Sequence, residues 1–173
     1  MVYRPGFVAA GEAAALIASI ARLPFEAFRF RGYVGRRRVV SFGHAYDFEG
    51  LRLRPAAPLP PFLVPLRARA ADFAGVGADE LPHALVTEYA PGAAIGWHRD
   101  RPEFGDVIGV SLGGACRFRL RRPNGARWER RSVELEPGSA YLLRGPARHA
   151  WEHGIPAVEA LRYSVTFRTL ARA

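Results

Sequence analysis

The apolar positions of this chain change their period along its length. In Gly11–Leu23, GEAAALIASIARL, residues Leu16, Ile17, Ile20 and Leu23 fall at helical spacing. That stretch predicts a short amphipathic helix, stopped by Pro24. Residues 25–48, FEAFRFRGYVGRRRVVSFGHAYDF, are rich in aromatic and β-branched side chains with glycines between them. They predict extended segments joined by hairpin turns. LRLRPAAPLPP (51–61) predicts a proline-rich surface connection, and PFLVPLRARAADFAG a second helix running from Pro61 or Pro65 to Ala74. From Leu85 onward short runs recur: ALVTEYA, DVIGVSL, CRFRLRR, SVELE, SAYLLRG, HAWEHGI and LRYSVTFRTL, each bounded by Gly, Pro or Asn. Such a series without intervening helices predicts an antiparallel sandwich or barrel.

Composition narrows this picture. The chain has 173 residues, 49% of them apolar, and a mean hydropathy of −0.06, as expected for one globular domain. No apolar run approaches the ~18–20 residues of a membrane span. Gly11 and Glu12 interrupt the N-terminal stretch, which argues against a signal peptide. Cys116 stands alone, so no internal disulfide forms, and a cytoplasmic location is expected. The formal net charge is +9, and all 25 basic residues are arginine. A GC-rich coding bias accounts for the absence of lysine, but the excess charge attracts polyanions whatever its origin.

Candidate chemistry begins in EYAPGAAIGWHRDRPEFG. On a strand, His98 and Asp100 would point to the same side with Cα atoms about 6–7 Å apart, close enough to meet at one ion. Downstream, RHAWEHGIP supplies His149 and His153. Two histidines, one carboxylate and open coordination positions are the usual ligands of a non-haem Fe(II) oxygenase. On a straight strand His149 and His153 lie roughly 13 Å apart, so they would not share an ion, and spacing does not choose between them. In RYSVTFR, Arg162, Ser164, Thr166 and Arg168 share one face, and Tyr163, Val165 and Phe167 the other. A face with two arginines requires water or anions, because an unpaired buried guanidinium is very costly. Thr87 and Tyr89 likewise share a face. A pocket so lined beside a metal suits a small dicarboxylate, chelated at one end and gripped by arginine at the other.

Together, EYAPGAAIGWHRD, WEHGI and RYSVTFR resemble the AlkB family of Fe(II)- and 2-oxoglutarate-dependent dioxygenases, over roughly Leu85–Leu170. FGHAYDF (42–48) resembles the family's aromatic substrate-side segment. The resemblance implies an α+β, mainly β fold: a double-stranded β-helix, or jelly roll, with N-terminal helices packed on the outside. Residues 1–84 would form the helices and substrate-side extension, and 85–170 the catalytic core. It implies His98, Asp100 and His153 as iron ligands, with 2-oxoglutarate and O2 as cosubstrates. Arg168 would pair with the distal carboxylate of 2-oxoglutarate, helped by Tyr89, while Arg162 would sit nearer the metal. Thr87 and Ser164 stand where family members often carry Asn. The repair members often have an acid two residues beyond the iron-binding aspartate. This chain has Pro102 there, with Glu103 or Glu152 as candidate substitutes.

The activity so implied is oxidative removal of N-alkyl groups from bases in DNA or RNA. A base reaches such a site only out of the stack, and Tyr33, Phe42, Tyr46 and Trp97 are candidates to stack on it, with Arg99 and Arg101 nearby. CRFRLRRPNGARWERR (116–131) carries seven arginines against one glutamate around a Pro-Asn-Gly turn. It reads equally as a ribbon for a phosphate backbone and as a solvated hairpin. The alternatives are a 2-oxoglutarate-dependent hydroxylase or demethylase of a protein or small molecule, and a metal-containing binding module without turnover.

Overall fold

The computed structural model of the chain describes residues 1–30, 32–48 and 50–171. The first half contains strand β1 (Val2–Arg4), helix α1 (Ala10–Ile20), strands β2 (Glu26–Phe30), β3 (Tyr33–Phe42), β4 (His44–Asp47) and β5 (Arg52–Pro55), and helix α2 (Val64–Ala74). Strands β6 (His83–Tyr89), β7 (Ile95–His98), β8 (Phe104–Gly113), β9 (Cys116–Asn124), β10 (Arg127–Leu135) and β11 (Ala140–Leu143) follow. A short helix α3 (Pro146–His149) leads into β12 (Glu152–Ile155) and β13 (Arg162–Leu170). A seven-stranded antiparallel sheet has the order β1-β11-β8-β13-β6-β3-β2, and a four-stranded one the order β10-β9-β12-β7. The two face each other as a double-stranded β-helix. Among the described residues no helix is long and apolar enough to cross a membrane.

Strand β13 shows why the larger sheet holds two different interiors. Tyr163, Val165 and Phe167 enter an apolar core with Leu16 and Ile20 of α1 and Leu66 and Ala70 of α2. Burying each such side chain contributes about 1.5–3 kcal/mol. The alternate residues Arg162, Ser164, Thr166 and Arg168 are also buried, but they face the cavity between the sheets. A period of two thus separates a structural face from a polar one. The helices cover the outer side, and Arg69 of α2 ties them together through a two-pronged contact with Glu12 of α1, at 2.6 and 2.9 Å. At the inner side, Gly109 is needed because a Cβ there would strike the ring of Tyr141.

Three expectations are corrected. Residues 51–61 are not solely a connection, since Arg52–Pro55 pairs with β4 as a strand. The N-terminal region is not confined to the outside: β1, β2 and β3 extend the seven-stranded sheet. Strand β6 would otherwise leave an open edge; β3 covers it from Arg38↔Glu88 to Phe42↔Ala84, and Arg38 grips Glu88 at 2.7 and 3.0 Å. Finally, HAWEHGI is not one strand. Pro146 starts a helical turn after Gly145 (φ 55), which places His149 in α3 and removes the straight spacing to His153.

Candidate metal and cosubstrate site

His98 ends β7, and its register partner across the small sheet is His153 of β12. Their rings lie 4.3 Å apart between centroids, and Phe118 stacks on His153 from the next strand at 5.3 Å. Asp100 follows immediately after β7. Its Oδ1 accepts hydrogen bonds from Nε (2.9 Å) and Nη2 (2.7 Å) of Arg168, while its buried Oδ2 has no hydrogen-bond partner and stands 3.6 Å from Nε2 of His153. His98 Nδ1 is 2.9 Å from the carbonyl of Gly96. A carbonyl only accepts, so Nδ1 carries the proton and Nε2 offers its lone pair. Arg148 fixes the loop behind Asp100 by donating to the carbonyls of Arg101, Phe104 and Gly105 at 2.7–2.8 Å.

Electrostatics keep this cluster ready for a cation. Burial, reinforced by His98, pushes His153 down to about 3, and burial likewise lowers His98, so both imidazoles are neutral near pH 7. Burial alone would raise the Asp100 carboxyl, but Arg168, with His153 and His98 behind it, overrides this and holds it far below the usual carboxylate range. A neutral nitrogen pair and an ionised carboxylate are the forms that bind metal. Octahedral neighbours about 2.1 Å from an ion are roughly 3 Å apart, and Asp100 Oδ2 and His153 Nε2 stand 3.6 Å apart. As it stands, no three His, Cys, Asp or Glu side chains among the described residues form a closed metal site. The orphaned Oδ2 and the mixed nitrogen–oxygen donors fit divalent iron.

A cavity of about 980 Å3 opens beside the cluster. At the end away from Asp100, Arg162 is 1% exposed, its Nε donates to Ser111 Oγ at 3.2 Å, and its guanidinium lies 4.9 Å from the ring centre of Tyr89. Its Nη1 is buried without a partner. Thr87, Ser164, Thr166 and Tyr141 line the wall between the two arginines. Burial, with Asp100 and Tyr89, raises the Tyr141 phenol, which stays protonated and able to donate. A positively charged end, a hydroxyl wall and a metal-facing end fit a keto-diacid.

Residues 2–168 match the 2OG-Fe(II) oxygenase superfamily. An AlkB homolog of Caulobacter vibrioides, an alpha-ketoglutarate-dependent dioxygenase, is 31% identical over 162 residues, 83% of this chain and 70% of that one. The chain belongs to the AlkB-like 2OG-Fe(II) oxygenases. The alkylated DNA repair protein ALKBH8 homolog of Arabidopsis thaliana is 28% identical over 176 residues, 88% of this chain. The AlkB-like chain spans about half the length of that protein (49%) and of the uncharacterized protein L905 of Acanthamoeba polyphaga mimivirus (48%). Among solved structures, OsALKBH1 superimposes with a TM-score of 0.75 at 17% identity, over 96% of this chain and 95% of that one. A Pseudomonas putida prolyl-4-hydroxylase follows at 0.68 and 14%, over 99% and 92%. At these identities the structures establish the shared fold alone.

In this AlkB-like chain the two arginines stand at the opposite ends from those expected from sequence. Arg168 sits opposite His83 of β6 and grips Asp100, so it belongs to the metal end. Tyr89 is the register partner of Arg162, not of Arg168. A second correction concerns Phe42. Val39 and Ser41 face the cavity, so Phe42, one residue on, turns into the helix-side core at 5% exposure. Tyr46, Trp97, Arg99 and Arg101 do line the cavity. The side chain of Tyr33 lies outside the described residues. His149 is exposed at the end of α3, away from the cavity lining. Glu152 pairs with Arg121 at 2.7 Å, outside the cavity lining, and Glu103 lies 3.7 Å from Arg101. His83, Ser111, Tyr141 and Arg148 escaped sequence reading. His83 shares the period of two with Thr87 and Tyr89 and could have been found by extending it. Ser111 and Tyr141 depend on strand pairing, and Arg148 on the turn of α3.

Proposed function

We propose that the protein is an Fe(II)- and 2-oxoglutarate-dependent dioxygenase that removes N-alkyl groups from bases in DNA or RNA. The observation that carries this reading is the pair of orphaned buried groups, Asp100 Oδ2 beside His98 and His153, and Arg162 Nη1 at the far end of one cavity. His98, Asp100 and His153 would hold the iron, which with 2-oxoglutarate and O2 supplies the oxidising power for attack on an unactivated alkyl carbon. Arg168 holds Asp100 ionised and oriented, so that one oxygen stays turned to the metal. Arg162, with Tyr89, binds the distal carboxylate in a charge-assisted contact far stronger than one in water. Thr87, Ser164 and Thr166 supply hydroxyls along the cosubstrate. At the mouth, Tyr46 is the aromatic ring nearest to an extruded base, and Trp97 stands at the rim. The names of the Caulobacter and Arabidopsis relatives support a nucleic-acid substrate.

One observation favours a different substrate. Arg101 donates to the hydroxyl of Tyr46 and lies 4.4 Å over its ring, and Pro102 stands where an acid would meet a cationic base. A neutral alkylated base, or a hydroxylation target outside nucleic acid, suits that mouth better than a cation does.

The test is release of succinate and formaldehyde with Fe(II), 2-oxoglutarate and methylated oligonucleotides. His98→Ala and His153→Ala should abolish turnover, and His149→Ala should spare it. Turnover coupled to a protein or metabolite, and to no alkylated oligonucleotide, would replace this reading with the hydroxylase one.

A further inference from the structure

The outer face of the four-stranded sheet carries a pattern that the cavity does not use. Register fixes which residues share it: Arg130 lies opposite Arg121, Ser132 opposite Arg119, and Glu134 opposite Arg117, while Glu152 and Gly154 of β12 sit beside Arg121 and Arg119. Phe118 and Leu120, the alternate residues of β9, point inward to the core between the sheets. At the far edge of this face stands Trp97, because His98, the next residue, turns inward with His153. Gly154 lies between: a Cβ there would meet the carbonyls of Ile95 and Gly96 at 3.0–3.2 Å. The bare glycine lets the side chains on either side of β12 meet above it.

They meet as a ladder. The Arg121 guanidinium lies between two indoles, 4.5 Å from the ring centre of Trp97 and 4.3 Å from that of Trp128, and Arg119 lies 4.9 Å from Trp97. Trp128 is 40% exposed, a large apolar ring left at the surface of a basic hairpin. The acids on this face are Glu152, paired with Arg121, and Glu134, opposite Arg117. The adjacent Glu129 is shared by Arg122 and Arg131. That leaves Arg130 exposed beside the ladder. A stacked guanidinium still presents its edge N–H groups to an oxyanion, while an exposed indole presents a face to an unstacked ring. Alternating cation edges and π faces match the alternating phosphates and bases of a single strand. A duplex keeps its base faces stacked inside, and an acidic peptide would leave the indoles unused.

We propose that this face, from Trp97 across Arg119 and Arg121 to Trp128 and Arg130, is a track for the single-stranded nucleic acid flanking the target base. Trp97 also lines the rim of the cavity, so a strand that delivers one base to the site has its neighbour at the start of the ladder. The proposal rests on a nucleic-acid substrate, but it concerns binding alone.

Fluorescein-labelled dT12 and rU12 would be titrated by anisotropy at several NaCl concentrations against the wild type and Trp128→Ala/Arg130→Ala. Both substituted side chains are exposed, and neither lines the cavity. Affinity should fall about five- to a hundredfold, the range for one lost base–aromatic stack. The slope of log affinity on log salt should shrink by about 0.7, for one lost phosphate contact on a single strand. Trp128→Tyr should restore most of the affinity, and 2-oxoglutarate decarboxylation without nucleic acid should be unchanged. The dT12 and rU12 arms tell DNA from RNA.

Unchanged dT12 and rU12 binding in the double variant would overturn the track, even if methylated oligonucleotides are dealkylated normally. Equal affinity for poly-L-glutamate, insensitive to Trp128→Ala, would overturn it too, as mere charge attraction. Trp128-dependent binding with no oligonucleotide ever dealkylated would uphold the track and reject the proposed reaction.

Discussion

Arginine does opposite work in two parts of this molecule. On β13, Arg162 and Arg168 are 1% and 8% exposed, enclosed by two sheets. On the β9–β10 hairpin, Arg117, Arg127 and Arg130 are exposed, and their charge is shared with water. A guanidinium in the first setting must be matched group by group. Arg168 is matched by Asp100, whereas Arg162 retains an orphaned Nη1. A buried cation left partly unpaired lowers stability, which is the physical ground for proposing an anion site there. In the second setting the same side chain costs little and contributes little to folding. Burial, not residue type, separates the proposed cosubstrate clamp from the proposed polyanion surface.

The largest test of this contrast is Arg162→Met. Removing a buried charge that meets a carboxylate should raise the apparent KM for 2-oxoglutarate by about a hundredfold or more. The thermal midpoint without cosubstrate should stay the same or rise, because a hydrophobe of similar length replaces an incompletely paired ion. Added 2-oxoglutarate should stabilise the wild type and leave the variant unmoved. A lower midpoint with an unchanged KM would make Arg162 a structural residue and break the comparison.

A smaller effect is expected from pH. Burial, aided by Arg168, holds His83 well below the ordinary imidazole value, and burial also lowers His98 and His153. The unfolded chain therefore takes up protons, from about pH 6.5 downward, that the folded chain refuses. Stability of the metal-free protein should be full above that value and fall as pH drops, with the loss from His153 ending near about 3. The depressed carboxyl of Asp100 adds a further loss below the usual carboxylate range. A midpoint flat between pH 7 and 4 would show that these imidazoles are not enclosed.

The smallest effect belongs to the hairpin. Arg127→Ser should change unfolding free energy by no more than about 0.5 kcal/mol, as for surface positions in general. A change of several kcal/mol in urea titration would mean that the exposed arginines, too, hold the fold together.

Much of this was legible in the residues. The period of two in RYSVTFR separated Tyr163, Val165 and Phe167 from Arg162, Ser164, Thr166 and Arg168, because strand geometry sends neighbours to opposite faces wherever the strand lies. The strand period did not reach Asp100: β7 ends at His98, and the chain beyond it brings the carboxylate back to the histidines. The first helix was announced by the apolar spacing of Leu16, Ile17, Ile20 and Leu23 and by Pro24, and the second by its segment from Pro61 or Pro65 to Ala74, since helical contacts span only three or four residues. What residue order could not settle was which groups meet across strands. Tyr89 faces Arg162 rather than Arg168, Phe42 turns to the helices rather than the cavity, and His149 curls into α3 away from His153. Each depends on a register or a turn set by distant partners, and a shift of one residue in pairing exchanges the faces of a whole strand. The alternation along each strand is thus a property of the chain alone, while the identity of what each face meets belongs to the packed sheets.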